Sequence, residues 1–110
     1  LTVRYMQPAS LTAEQTTSVA DTFGLLADPT RLSIVVACMN QPRSAGDIAG
    51  TLGASASLTS HHLRLLRSAR ILKSERRGKH VFYAMSDDCV KRVLEIMIEH
   101  VTHHHDTIEG

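Results

Sequence analysis

The stretch Ser55-Ala56-Ser57-Leu58-Thr59-Ser60-His61-His62-Leu63-Arg64-Leu65-Leu66-Arg67 constrains the fold of this chain more than any other. On a helix that turns about 100° per residue, Ser57, Ser60, His61 and Arg64 fall at i, i+3, i+4 and i+7 on one polar face. Thr59, Leu63 and Leu66 hold the opposite face. One face can dock on a core while the other offers short hydrogen-bonding side chains to a surface. Immediately before it, residues 44–53 read as a short helix that buries Ile48, Ala49 and Leu52 and stops at Gly53, the residue that favours a left-handed cap. Immediately after it, Ile71-Leu72-Lys73-Ser74-Glu75-Arg76 and His80-Val81-Phe82-Tyr83-Ala84 flank Arg77-Gly78-Lys79, the pattern of a β-hairpin with a basic tip.

A short helix, a tight glycine turn, a polar-faced helix and a hairpin make a winged helix-turn-helix, a mainly α fold with a small β-hairpin. Its second helix suits a DNA major groove, where Ser and His reach base edges or phosphates and Arg pairs with guanine. The DNA-binding set is Ser57, Thr59, Ser60, His61 and Arg64 on the helix, with Arg76, Arg77 and Lys79 on the wing. Charge is distributed accordingly. Residues 55–85 carry seven Lys or Arg against the single acid Glu75, a segment charge of +6, and the remaining residues carry −5. A basic reading head on an acidic body is the footprint of a protein that neutralises phosphates.

The chain of 110 residues is read as one domain, and with only 4% aromatic residues its core must rest on aliphatic helix packing. Residues 1–9 show no periodicity and read as a flexible arm. Ser10 or Thr12 caps a first helix that carries Val19, Phe23 and Leu26, and Asp28-Pro29 starts a second that carries Leu32, Val35, Val36 and Met39 to about Asn40. No run approaches the roughly 20 apolar residues of a membrane span, and the first ten residues lack a signal-peptide core. A cytoplasmic location is expected. The absence of methionine at position 1 suggests numbering from inside a longer product or after trimming. Cys38 and Cys89 are too few for a disulfide framework.

A last helix, over about residues 86–104, is expected to start at Ser86 with Asp87 and Asp88 in its first turn. Val90, Leu94, Met97 and Val101 recur with the 4-3-4 spacing of a helix that pairs with another helix. No further long element remains to cover it, so the partner is the same helix of a second subunit in a twofold dimer. Asp87, Cys89, His100 and His103 on this helix are transition-metal ligands by type. One helix cannot close a site around them, because Cys89 and His100 are separated by roughly 16 Å along the axis. Two antiparallel copies can. Both ligand pairs, Asp87 with His103 and Cys89 with His100, are centred near Leu94 and Glu95, so each chain's Asp87 and Cys89 face the other's His100 and His103. Donors of type O, S, N and N suit tetrahedral Zn²⁺ first, with Co²⁺, Cd²⁺ and Ni²⁺ as further options. His104 and His105 either add ligands or belong to a polar tail.

The Ala27-Asp28-Pro29-Thr30-Arg31-Leu32 run, the Ser60-His61-His62-Leu63-Arg64-Leu65-Leu66 run and the basic wing together resemble the ArsR/SmtB family of dimeric bacterial metal-responsive repressors, over nearly the whole chain. The resemblance implies that the helix with Ser57, Ser60 and His61 reads an operator. It also implies that the D-x-C-x10-H-x2-H spacing corresponds to the family's C-terminal-helix zinc site. The chain departs from the pattern at Ala56, where a glutamine is common, and at Cys89, where histidine is usual. Residues 44–52 contain no cysteine, so a second family site in that helix is missing. The expected function is a homodimeric transcriptional repressor that binds a palindromic double-stranded operator when metal-free. Two alternatives stay open: a thiol sensor using Cys38 and Cys89, and a constitutive architectural DNA-binding dimer with no ligand. No Gly-rich phosphate loop or nucleophile elbow supports an enzyme.

Overall fold

The computed structural model describes residues 10–109, with side chains described for residues 10–103. The expected arm over residues 1–9 and the side chains of His104 and His105 lie outside the described residues. Four helices begin on a side chain that accepts a hydrogen bond from an otherwise orphaned backbone N–H of the first turn. For α1 (Ala13–Leu26) this is Thr12 rather than Ser10, and it forms a reciprocal capping box with Gln15 at 3.0 Å in both directions. Asp28 caps α2 (Pro29–Ala37), and the Arg31 N–H that its carboxylate accepts holds this acid below its ordinary pKa. Ser44 caps α3 (Ala45–Leu52) and Ser55 caps α4 (Ala56–Ser68). Between them Gly53 closes α3 at φ 65°, a conformation that costs a residue with a Cβ.

α2 stops at Ala37, short of the expected Asn40, because Cys38 N–H bonds back to Val35 O at 3.0 Å and tightens the last turn. The hairpin that follows α4 is not alone. β1 (Arg43–Ser44) pairs with β3 (His80–Met85), which pairs with β2 (Leu72–Arg77), giving a three-stranded antiparallel sheet in the order β1-β3-β2. A strand of two residues has no alternation to read, so only tertiary pairing reveals it. The β2–β3 register, Arg77 opposite His80, leaves Gly78 and Lys79 as a two-residue turn, with Gly78 at φ 65°.

The core is aliphatic. Ile34 and Val35 of α2, Cys38 and Met39 just after it, Ile48 of α3, Leu63 and Leu66 of α4, and Ile71 and Leu72 at the wing are buried, with Leu26 of α1 and Leu94 of α5 (Asp88–Glu109) completing the cluster. α5 begins two residues later than expected. Asp87, not Ser86, accepts the Cys89 N–H at 2.9 Å, while Ser86 N–H is drawn to Ile71 O at 3.1 Å. The expected pairing seam of α5 is also corrected. Leu94 is 7% exposed and Val90 packs on the same core, so both belong to the protomer's own interior. Val93, Ile96, Met97, Ile98 and Val101 are apolar side chains that α5 leaves exposed, and α1 adds Val19 and Phe23. Among the described residues no helix is long and apolar enough to cross a membrane.

Candidate DNA interface and metal centre

α4 presents Ser57, Ser60, His61 and Arg64 to solvent and sets Leu63 and Leu66 into the core, as its amphipathic spacing dictates. Thr59 is removed from the DNA-facing set: it is 2% exposed and its Oγ1 is buried without a hydrogen-bond partner. Its i, i+4, i+7 relation to Leu63 and Leu66 puts it on the docking side. His62 is buried too. Its Nδ1 accepts from Arg31 Nη1 at 3.4 Å, and the same guanidinium donates through Nε to Leu25 O at 2.9 Å. This pair joins α4 to α2 and the end of α1, so the reading helix is held at a defined angle. Leu58, 46% exposed beside Ser57, is a position that the sequence reading missed. An apolar residue outside the Thr59-Leu63-Leu66 stripe is its signal, and it suits a thymine methyl group.

On the wing, Arg76, Arg77, Lys79 and His80 are exposed. Arg77 is held locally, 3.3 Å from Glu75 and with its guanidinium carbon 4.8 Å from the centre of the Phe82 ring. An exposed pair of this kind is worth about 0–1 kcal/mol, small enough to be exchanged for a phosphate. Arg67 Nη1 donates to Ser74 Oγ at 3.2 Å and ties the end of α4 to β2, so helix and wing present their cations as one surface.

The four candidate ligands fall into two pairs, one at the start of α5 and the other about three turns further along it. Asp87 and Cys89 are exposed at the start of α5, with one carboxylate oxygen engaged by the Cys89 N–H, and a carboxylate has a second oxygen to offer. His100 and His103 are exposed one turn apart. Among the described residues no group of three His, Cys, Asp or Glu comes together to hold an ion. The donor chemistry fits a transition metal, but one protomer supplies only half of a coordination sphere at either place. Cys89, Val93, Ile96, His100 and His103 recur at i, i+4, i+7, i+11 and i+14, so the ligands share a stripe with exposed apolar residues. Cys89 also lines a small apolar hollow with Phe23, Leu26 and Val93.

The two cysteines differ in chemistry. Cys89 is exposed, whereas Cys38 is 1% exposed and burial pushes its thiol up to about 11, against a smaller opposing pull from the Arg43 charge. At pH 8 only about one Cys38 in a thousand is then thiolate, the reactive form. Iodoacetamide at pH 8 is therefore expected to alkylate Cys89 at least tenfold faster than Cys38, read by mass spectrometry of the folded protein. Comparable rates would return Cys38 to consideration as half of a dithiol switch.

Comparison with known proteins places these features. Residues 28–74 match the family model described as bacterial regulatory protein, arsR family. A transcriptional repressor SmtB homolog from Synechocystis sp. is 35% identical over 99 residues, covering 90% of this chain and 75% of that protein. The crystal structure of the AntR antimony-specific transcriptional repressor superposes with a TM-score of 0.78 at 28% identity, over 93% of this chain and 94% of its own. The solution structure of a homodimeric winged helix-turn-helix DNA-binding domain, Mb0332 from Mycobacterium bovis, gives a TM-score of 0.71 at 26% identity, over 88% and 96%.

Proposed function

Because the chain belongs to the ArsR/SmtB family of bacterial transcriptional regulators, we propose that it is a homodimeric cytoplasmic repressor whose hold on a palindromic operator is released by a transition metal ion bound between paired α5 helices. Zn²⁺ is the first choice, with Co²⁺, Cd²⁺ and Ni²⁺ as alternatives. The observation that carries this reading is the symmetry of the exposed α5 stripe. Cys89 and His100 are equidistant from the point between Leu94 and Glu95, and so are Val93 and Ile96, which are 45% and 65% exposed. In an antiparallel pair each Val93 meets the partner's Ile96, and each Cys89 meets the partner's His100. One pattern thus serves both apolar association and ligand pairing. Phe23 and Val19 of α1 widen the same apolar surface. The homodimeric state of the M. bovis domain and the antimony specificity of AntR support a dimer and an inorganic effector.

Asp87 and Cys89 of one protomer and the partner's His100 and His103 would hold the ion, which when bound supplies a cross-link between the two α5 helices. The chain itself offers the route to DNA. Leu94 of α5 lies in the same core as Leu63 and Leu66 of α4, so an altered pairing of the α5 helices shifts the support of the reading helix. DNA affinity falls to the extent that metal prefers the dimer shape whose reading helices miss the half-site spacing.

Titration of reduced, metal-free dimer with Co²⁺, with absorption and the anisotropy of a labelled palindromic duplex followed together, tests the proposal. Intense visible bands and a near-ultraviolet thiolate transition saturating at one ion per chain as duplex is released are expected. Absence of both bands and release would leave a DNA-binding dimer indifferent to metal.

A further inference from the structure

A second concavity, away from the α5 stripe, lies between α2 and α3. Its volume is about 610 Å³, within the usual size of small-molecule sites. Leu32, Val36, Ala37 and Leu52 form an apolar wall, Ser33, Asn40, Gln41 and Thr51 add uncharged polar groups, and Arg43 of β1 completes the lining. Arg43 is the unusual member. Its Nε is buried without a hydrogen-bond partner, and among the described residues the guanidinium has no ion pair. A buried donor on a cation is costly to leave unsatisfied. The surrounding backbone does not let Arg43 withdraw: it is paired with Tyr83 in the sheet, and the next residue, Ser44, caps α3.

We infer that this cleft is a binding site for a small organic carboxylate, with Arg43 receiving the carboxylate and the Leu32–Val36–Leu52 wall receiving its hydrocarbon part. A guanidinium fork matches a carboxylate in plane and in charge, and among the described residues no carboxylate of the protein occupies it. One cation beside an apolar wall selects an amphipathic monoanion over a bare inorganic one. The position also gives the site a consequence. Its walls are α2, which holds the reading helix through Arg31 and His62, and α3, the first helix of the helix-turn-helix. The effect on DNA rests on the function proposed above, whereas binding itself does not.

Isothermal titration of the metal-free 110-residue chain with hexanoate, benzoate, hexanol and inorganic phosphate tests this. Saturable binding of hexanoate or benzoate, at least tenfold tighter than hexanol or phosphate, is expected. Arg43→Gln should weaken it tenfold or more. Val36→Phe, at a half-exposed wall position, should block the cleft with Arg43 intact, so the site stays testable if Arg43→Gln folds poorly. No saturable carboxylate binding below 10 mM, equal binding of phosphate, or binding indifferent to both substitutions would overturn the assignment. So would an Arg43→Gln protein that has lost only a DNA phosphate contact, seen as a flatter salt dependence of operator binding with no change toward carboxylates. Retained carboxylate binding in a protein whose DNA affinity ignores Co²⁺ would refute the metal reading and leave this one standing.

Discussion

Cys89→Ser combined with His100→Ala is expected to lower metal affinity by roughly a hundredfold or more, about 2.7 kcal/mol, while metal-free operator affinity stays within about twofold. The pair is chosen because the two residues face each other only across a dimer. If each α5 bound metal by itself, the roughly 16 Å between them would make their losses independent. If they share one ion across the twofold axis, either single substitution removes most of the affinity and the double adds little, the non-additivity of groups acting together. Both side chains are exposed in the protomer, so neither change opens a cavity in its core. Competition with a chromophoric chelator measures the metal, and anisotropy of a labelled duplex measures DNA. Equal loss of metal and DNA binding would mean that Cys89 or His100 supports the dimer rather than the ion. Unchanged metal affinity would remove α5 as the sensory element.

Leu66→Ala is expected to destabilise the fold by about 2–5 kcal/mol, a large part of the roughly 5–15 kcal/mol that a domain of this size commands. Leu66 has no exposed surface, it anchors the inner face of α4, and its carbonyl accepts the Ile71 N–H at 3.0 Å where the chain leaves the helix for the wing. Losing its side chain leaves a void among Ile34, Leu63, Ile71 and Leu72 that these neighbours fill only in part. Urea unfolding at fixed protein concentration reads the change, since a dimer's midpoint depends on concentration. A loss below about 1 kcal/mol would mean that α4 is held mainly by its polar tie, Arg31 to His62, and not by the aliphatic core.

The elements that were legible from sequence are those whose signals are local. Asp28-Pro29 and Gly53 each announce a helix boundary within a turn of themselves, and each stands where it was expected. The polar face of α4 was legible for the same reason, since periodicity over four turns needs no knowledge of the partner. Thr59 shows the limit. Its hydroxyl qualifies it by type for a base contact, its spacing assigns it to the core side, and burial at 2% exposure decides for spacing. Ser86 and Asp87 show another: two adjacent residues are both good caps, and the bond from Ser86 N–H to Ile71 O determines which one serves.

From the amino-acid order alone came the helix-turn-helix, the wing, the basic reading head and the four ligand types on the last helix, because each depends on patterns shorter than one element. Which apolar residues of α5 face inward was a tertiary decision. Val90, Leu94, Met97 and Val101 read as one seam, yet the body of the protomer claims Val90 and Leu94 and leaves Val93 and Ile96 outside with Cys89, His100 and His103. The two-residue β1 and the buried donor of Arg43 were equally out of reach of sequence. Hydrophobic spacing records that a helix side is to be buried, but in the proposed dimer the helix meets two surfaces, its own core and its twin. Only the packed arrangement of α1, α4 and the wing determines which side goes to which.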